Sequence, residues 1–206
     1  MRTRRSALGA TLLALALVAC SDTTGSITDV NAVRLTPASL IGNNGNGFGN
    51  EEPISVTAAP PLQRMHAEFW AVQGKQRSVT ISYLPAPGEV EGKKFLVFTV
   101  PSKAQLVRPD GRLLARNDSV RISVDVVPGT LQANFSPEGL VFAGSYPAQL
   151  GISFYYGDTR GRPTDQLAMW YLGDSAEQIP SVVDGRGWMI NGQISHFSNY
   201  AVAYRR

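Results

Sequence analysis

The chain has 206 residues, 43% hydrophobic and 17% charged, with 20 Gly, 13 Pro, one Cys and two His. One Cys excludes a disulfide framework, and two distant His with it cannot supply the full ligand set of a structural zinc site. The formal charge of +3 is misleading, because Arg2, Arg4 and Arg5 carry three positive charges at the N-terminus and the rest is near neutral. Lys93-Lys94, Arg160/Arg162 and Arg205-Arg206 are too short for the basic face of a nucleic-acid binder, so no nucleic-acid partner is expected.

An apolar run from Ala7 to Ala19 follows the basic start. A spanning helix needs about 20 apolar residues, so the run reads as a secretory signal peptide. It ends in Leu17-Val18-Ala19-Cys20, which resembles the lipobox of bacterial lipoproteins. That resemblance implies cleavage after residue 19 and acylation of Cys20, by diacylglycerol on the thiol and a fatty acid such as palmitate. The thiolate is the nucleophile such chemistry requires, and the chain's one Cys stands where lipidation needs it. The alternative is an ordinary signal peptide that ends at a Cys. The resemblance further implies a chain anchored in a membrane of the cell envelope, facing away from the cytoplasm. Ser21, rather than Asp, follows Cys20, so an outer membrane is expected over an inner one where a cell has both.

Residues 20–50 read as a lipid-anchored flexible tether. Ser21 to Ser26 are small and polar, Ile27 to Ile41 suit one short strand or an extended stretch, and Gly42 to Asn50 are Gly/Asn-rich with almost nothing to bury. From residue 51 the pattern changes to short β-type runs divided by Gly, Pro, Asn or Asp. Strands are expected at His66–Val72, Ser78–Leu84, Phe95–Val100, Val120–Val127, Leu131–Phe135, Ala148–Tyr156, Gln166–Leu172, Trp188–Ser195 and Tyr200–Tyr204. Ser78–Tyr83 and Val120–Val126 alternate apolar and polar, the period of a half-buried strand. No stretch of ten or more residues carries a helical period. Pro109-Asp110-Gly111 reads as a tight turn, and Asn191-Gly192 as the type I′ turn of a hairpin pairing Trp188–Ile190 with Gln193–Ser195. The expected fold is all-β, an antiparallel sandwich, with a β-rich extension at 51–94 and the sandwich proper at 95–206.

Three phrases in order carry a second resemblance. They are Phe95-Leu96-Val97-Phe98-Thr99-Val100-Pro101-Ser102-Lys103-Ala104, the stretch Phe135-Ser136-Pro137-Glu138-Gly139-Leu140-Val141-Phe142 with Pro147 to Tyr155, and His196-Phe197-Ser198-Asn199-Tyr200-Ala201-Val202. Together they resemble the ZU-five domain, the β-sandwich module of zonula-occludens proteins, Unc-five netrin receptors and ankyrins. Ser102-Lys103 departs from the Pro-Gly usual in the first phrase. Some members of that family cleave themselves at a His-Phe-Ser motif. The resemblance thus implies His196 as a base and Ser198 as a nucleophile attacking the Phe197 carbonyl. The other reading is structural: all three lie in the last strand, with Phe197 in the core and His196 and Ser198 partly wet.

No enzyme acting on another molecule is expected. There is no G-x-S-x-G elbow, and Asp158, Asp165, Asp174 and Asp184 lack the spacing of paired catalytic carboxylates or of a calcium loop. They read as turn residues, and neither metal nor cofactor is expected. The aromatics Phe69-Trp70, Phe154-Tyr155-Tyr156, Trp170-Tyr171 and Trp188 fall on expected strands, where adjacent side chains point to opposite faces. Those that reach the surface could bind a glycan or a protein partner; otherwise they are core and edge cover. The functional expectation is a non-catalytic envelope module, with a self-processing domain or a purely structural lipoprotein as alternatives.

Overall fold

The computed structural model describes residues 54–205 other than 57, 174 and 175. Cys20 and its lipobox, the tether and the Ile27–Ile41 stretch lie outside the described residues, as does Asp174. The strands, in chain order, are β1 (His66–Val72), β2 (Arg77–Ser82), β3 (Lys94–Val100), β4 (Gln105–Val107), β5 (Ser119–Val126), β6 (Gln132–Ser136), β7 (Val141–Ala143), β8 (Ala148–Ser153), β9 (Leu167–Leu172), β10 (Ala176–Gln178), β11 (Ser181–Asp184), β12 (Met189–Ile194) and β13 (Asn199–Tyr204). A single 3-10 turn, Thr164–Gln166, is the only helical element among the described residues.

The strands form a six-stranded sheet in the order β1-β5-β6-β13-β9-β10, a five-stranded sheet in the order β11-β12-β8-β3-β2, and a two-stranded ribbon, β4-β7. Every pairing is antiparallel. The all-β expectation therefore holds. β1 and β2 precede residue 95, and each is built into one of the two main sheets.

Period-two alternation decides which face is dry. In β5, Val120, Ile122, Val124 and Val126 are buried while Arg121 and Asp125 are exposed. The buried sets of the two main sheets meet at Phe98 of β3, whose ring centroid lies 5.0 Å from Phe135 of β6 and 6.1 Å from Phe69 of β1. Phe197 stands 5.7 Å from Phe98, 5.3 Å from Phe135 and 5.2 Å from Phe142 of β7. The rings are tilted or edge-on, the arrangement the aromatic quadrupole favours. Phe98, Phe135, Phe142 and Phe197 are buried, and each contributes roughly 1.5–3 kcal/mol by leaving water.

β4 and β7 are three residues each, too short to show a period, and went unread in the sequence. The ribbon is pinned by Gln73, whose Nε2 donates to the Ala104 carbonyl while its Oε1 accepts from the Leu106 N–H. β10 and β11 were missed for the same reason of length.

Asn191-Gly192 is not a turn. β12 runs straight through it, with Asn191 opposite Gly151 and Gly192 opposite Leu150 of β8. The glycine serves close approach instead: a Cβ on Gly192 would stand 2.6 Å from Met169 Sδ of the facing sheet. The hairpin turn lies earlier, between β11 and β12 at residues 185–188, where Asp184 Oδ1 accepts the N–H groups of Arg186 and Gly187. The Pro109-Asp110-Gly111 turn is present, with Gly111 at φ +81°.

The His196–Ser198 motif is also not in the last strand. β13 starts at Asn199, and the motif forms the connection from β12. The burial expected of it holds, with Phe197 buried and His196 and Ser198 half-buried.

The first described residues close a gap in the six-stranded sheet. β13 pairs with β6 only over Asn199–Ala201. Beyond that point the Ile54 N–H donates to the Val202 carbonyl and the Leu131 N–H donates to the Ile54 carbonyl.

Phe98→Ala removes the ring both sheets share. The expected cost is about 3–5 kcal/mol in chemical denaturation, against a clearly smaller loss for Phe69→Ala, whose ring is only half-buried.

Candidate aromatic binding site

Beyond the end of β8 the chain continues as Phe154-Tyr155-Tyr156, and the β11–β12 turn delivers Trp188 beside it. The Phe154 N–H donates to the Trp188 carbonyl at 2.9 Å, which fixes the two segments to each other. Trp188 packs 5.5 Å from Phe154, which is buried, and 5.5 Å from Tyr155 in an edge-on pair. Tyr155 is 42% exposed and Trp188 44% exposed, so the pair presents aromatic surface to solvent while anchored from below. Lys93 Nζ sits 5.6 Å from the Tyr155 ring centroid and pairs with Glu89 at 3.2 Å. The hydrogen bond to Glu89 raises the Lys93 pKa.

Trp188 adopts φ +54°. A bulky residue in the left-handed region is uncommon and costs about 1–3 kcal/mol of local strain. The tight turn, with both Asp184 caps, imposes that conformation and aims the indole at Tyr155.

The platform is the outer end of a continuous row of rings. Tyr155 contacts Tyr156 at 4.9 Å, Tyr156 contacts Tyr83 at 4.8 Å, and Tyr83 contacts Phe95 of β3 at 5.7 Å. Tyr83 is buried and its hydroxyl has no hydrogen-bond partner among the described residues; burial pushes that phenol well above its ordinary range. Tyr83 and Phe95 also line an apolar cleft of about 270 Å³ with Pro60, Pro61, Met65 and Val126.

The other residues singled out in the sequence stand elsewhere. The His196 ring packs edge-on against Tyr171 at 4.8 Å, and its carbonyl accepts from the Tyr200 hydroxyl at 2.6 Å. The Phe197 N–H donates to Leu140, and the Ser198 carbonyl accepts from Phe135. Neither Phe197 nor Ser198 has a positive φ. His66 lies on the outer face of β1, 2.7 Å from Asp125 and 3.3 Å from Glu68, which also pairs with Arg121. The hydrogen bond to Asp125 raises its pKa; this ladder is a solvated charge network.

Asp158 Oδ1 accepts from the Arg160 N–H, the same local turn chemistry as Asp184. Asp165 belongs to the 3-10 turn. Among the described residues no three His, Cys, Asp or Glu gather as metal ligands. No helix among them is long and apolar enough to cross a membrane.

Trp188 and Tyr155 were named in the sequence as surface candidates, but their convergence was not legible there. Asp184-Gly185-Arg186-Gly187-Trp188 carried the signal, an Asp/Gly-rich turn that ends in an aromatic. Lys93 was read only as part of a basic pair. No protein-family model, curated protein or solved structure matches the chain.

The Phe197–Ser198 peptide carries neither a cis bond nor a positive φ on either side, so the intact mass of the chain under denaturing conditions is expected to retain Ser198–Arg206. A mass short of those nine residues, restored by Ser198→Ala, would make His196 and Ser198 an active pair.

Proposed function

We propose that this protein is a lipid-anchored, non-catalytic binding module of the cell envelope, and that its Tyr155–Trp188 platform takes a sugar ring of a glycan. The observation that carries the reading is Trp188 itself, held at φ +54° with much of its indole open to solvent and backed by the buried Phe154 ring. Strain of this kind persists where the surroundings over-determine it, and it concentrates at binding sites. Pyranose rings carry an apolar C–H face that stacks on an aromatic face, and hydroxyls that hydrogen-bond around it. Lys93 and its ion-pair partner Glu89 supply polar groups beside the Tyr155 ring. A pair of rings suits a sugar better than a protein interface, which buries about 800 Å² on each partner.

Support for the anchor comes from the Leu17-Val18-Ala19-Cys20 lipobox and its single Cys. Acylated Cys20 would hold the module at a membrane on the far side from the cytoplasm, the outer one where a cell has two. The ZU-five-like reading adds a fold-level analogy to non-enzymatic interaction modules, and fold alone does not assign a ligand.

Titration of tryptophan fluorescence with soluble β-linked N-acetylglucosamine oligomers and peptidoglycan fragments tests the site. The expected result is a saturable change that Trp188→Ala weakens about tenfold or more, equivalent to about 1.4 kcal/mol, with the fold retained by circular dichroism. The reading fails if no oligomer gives a saturable change, or if binding survives Trp188→Ala and Tyr155→Ala together. Retained capture of an envelope protein by that double variant would also count against the platform.

A further inference from the structure

The two halves of the outer face of the six-stranded sheet are chemically unlike each other. At the β1–β5 side it carries His66, Glu68, Trp70, Arg121 and Asp125, all exposed, as expected of a sheet face turned to water. At the β9–β13 side it carries Ala168, Trp170, Ala201 and Ala203, and Trp170 is only 3% exposed. Its cross-strand neighbours cannot hide an indole. Ala201 lies directly opposite on β13 and Gln178 directly opposite on β10, while Ala168 and Ala203 form the adjoining pair.

Among the described residues, the apolar members of this cluster come only from β9, β13 and β10, with Leu172 and Ala176 at its margin. It is one wall of a core, and the opposite wall belongs to something else. The place where the described chain begins points to what that is. Ile54 is hydrogen-bonded to Val202 on β13, between the two alanines of the face, so the residues before it start beside this surface.

We propose that the outer face of β9 and β13 is a docking surface for this chain's own segment Leu35-Thr36-Pro37-Ala38-Ser39-Leu40-Ile41. Going back from Ile54, Gly42 to Asn50 offers only Phe48 as a large apolar side chain, and Leu35–Ile41 is the first stretch with three. The intervening twelve residues, Gly42 to Pro53, reach about 40 Å when extended, more than enough to fold back over two strands. The alanines flanking Trp170 leave hollows for the branched side chains of Leu35, Leu40 and Ile41. Pro37 has no N–H to give a sheet ladder, so the segment suits the face rather than an edge. The folded unit then begins near Leu35, and the linker back to Cys20 is shorter than its Gly/Asn-rich composition suggests.

Hydrogen exchange on the full chain tests this directly. The amides of Thr36 and Ala38–Ile41 are expected to be protected about tenfold or more over free-chain rates. A companion measurement uses the full chain with Trp70→Phe and Trp188→Phe, which leaves Trp170 as the only indole. Adding Leu35→Asp, Leu40→Asp and Ile41→Asp is expected to shift Trp170 emission to the red and raise its quenching by acrylamide. Free exchange across residues 35–41, or Trp170 emission unmoved by the three substitutions, overturns the proposal. Concentration-dependent Trp170 burial with sedimentation as a dimer would overturn it too, since a second copy would then cover the face. Where the substituted chain fails to fold, exchange on the unsubstituted chain decides.

Discussion

The ring of Phe98 is the point on which the two main sheets close. It lies on β3 of the five-stranded sheet and touches Phe135 of the six-stranded sheet, while Phe142 and Phe197 seal it from the side of the short ribbon. Each sheet alone would expose an apolar face; stacked on these rings, each buries it against the other. The cluster draws on residues far apart in sequence, from β1 to the connection before β13. Its burial therefore rewards closure of the whole chain and not of any single hairpin.

That rigidity reaches the proposed binding platform. The row Phe95–Tyr83–Tyr156–Tyr155–Trp188 begins in the core and ends in solvent, each ring held by the one beneath it. A platform built this way loses little conformational freedom on binding. The Asp184-capped turn holds Trp188 in a strained backbone conformation and spends that strain on orientation. Glycan recognition needs a ring fixed in place more than it needs a deep cavity, and this arrangement supplies one.

Much of the fold was legible because period-two alternation is local. His66–Val72 was read to the residue, and the other long strands to within a few residues at each end. β4, β7, β10 and β11 were not, because three or four residues carry no period. Asn191-Gly192 misled for a physical reason. The dipeptide favours positive φ, but here the missing Cβ makes room for Met169. The three phrases that suggested a ZU-five-like domain meet at Phe98, Phe135, Phe142 and Phe197, so they are phrases about packing. They say little about a ligand, and the platform stands outside them except at Phe154 and Tyr155. It was hidden because it depends on β8 lying beside β12, a pairing between segments distant in sequence.

A core shared at the Phe98 cluster predicts that the two main sheets open as one cooperative unit. Native-state hydrogen exchange across a denaturant series is the most direct test. The slowest amides of β3 and β8 and those of β6 and β13 should share one opening free energy and one denaturant slope. Distinct free energies and slopes for the two sheets would contradict it, because the sheets would then open separately and the cluster would not be what joins them.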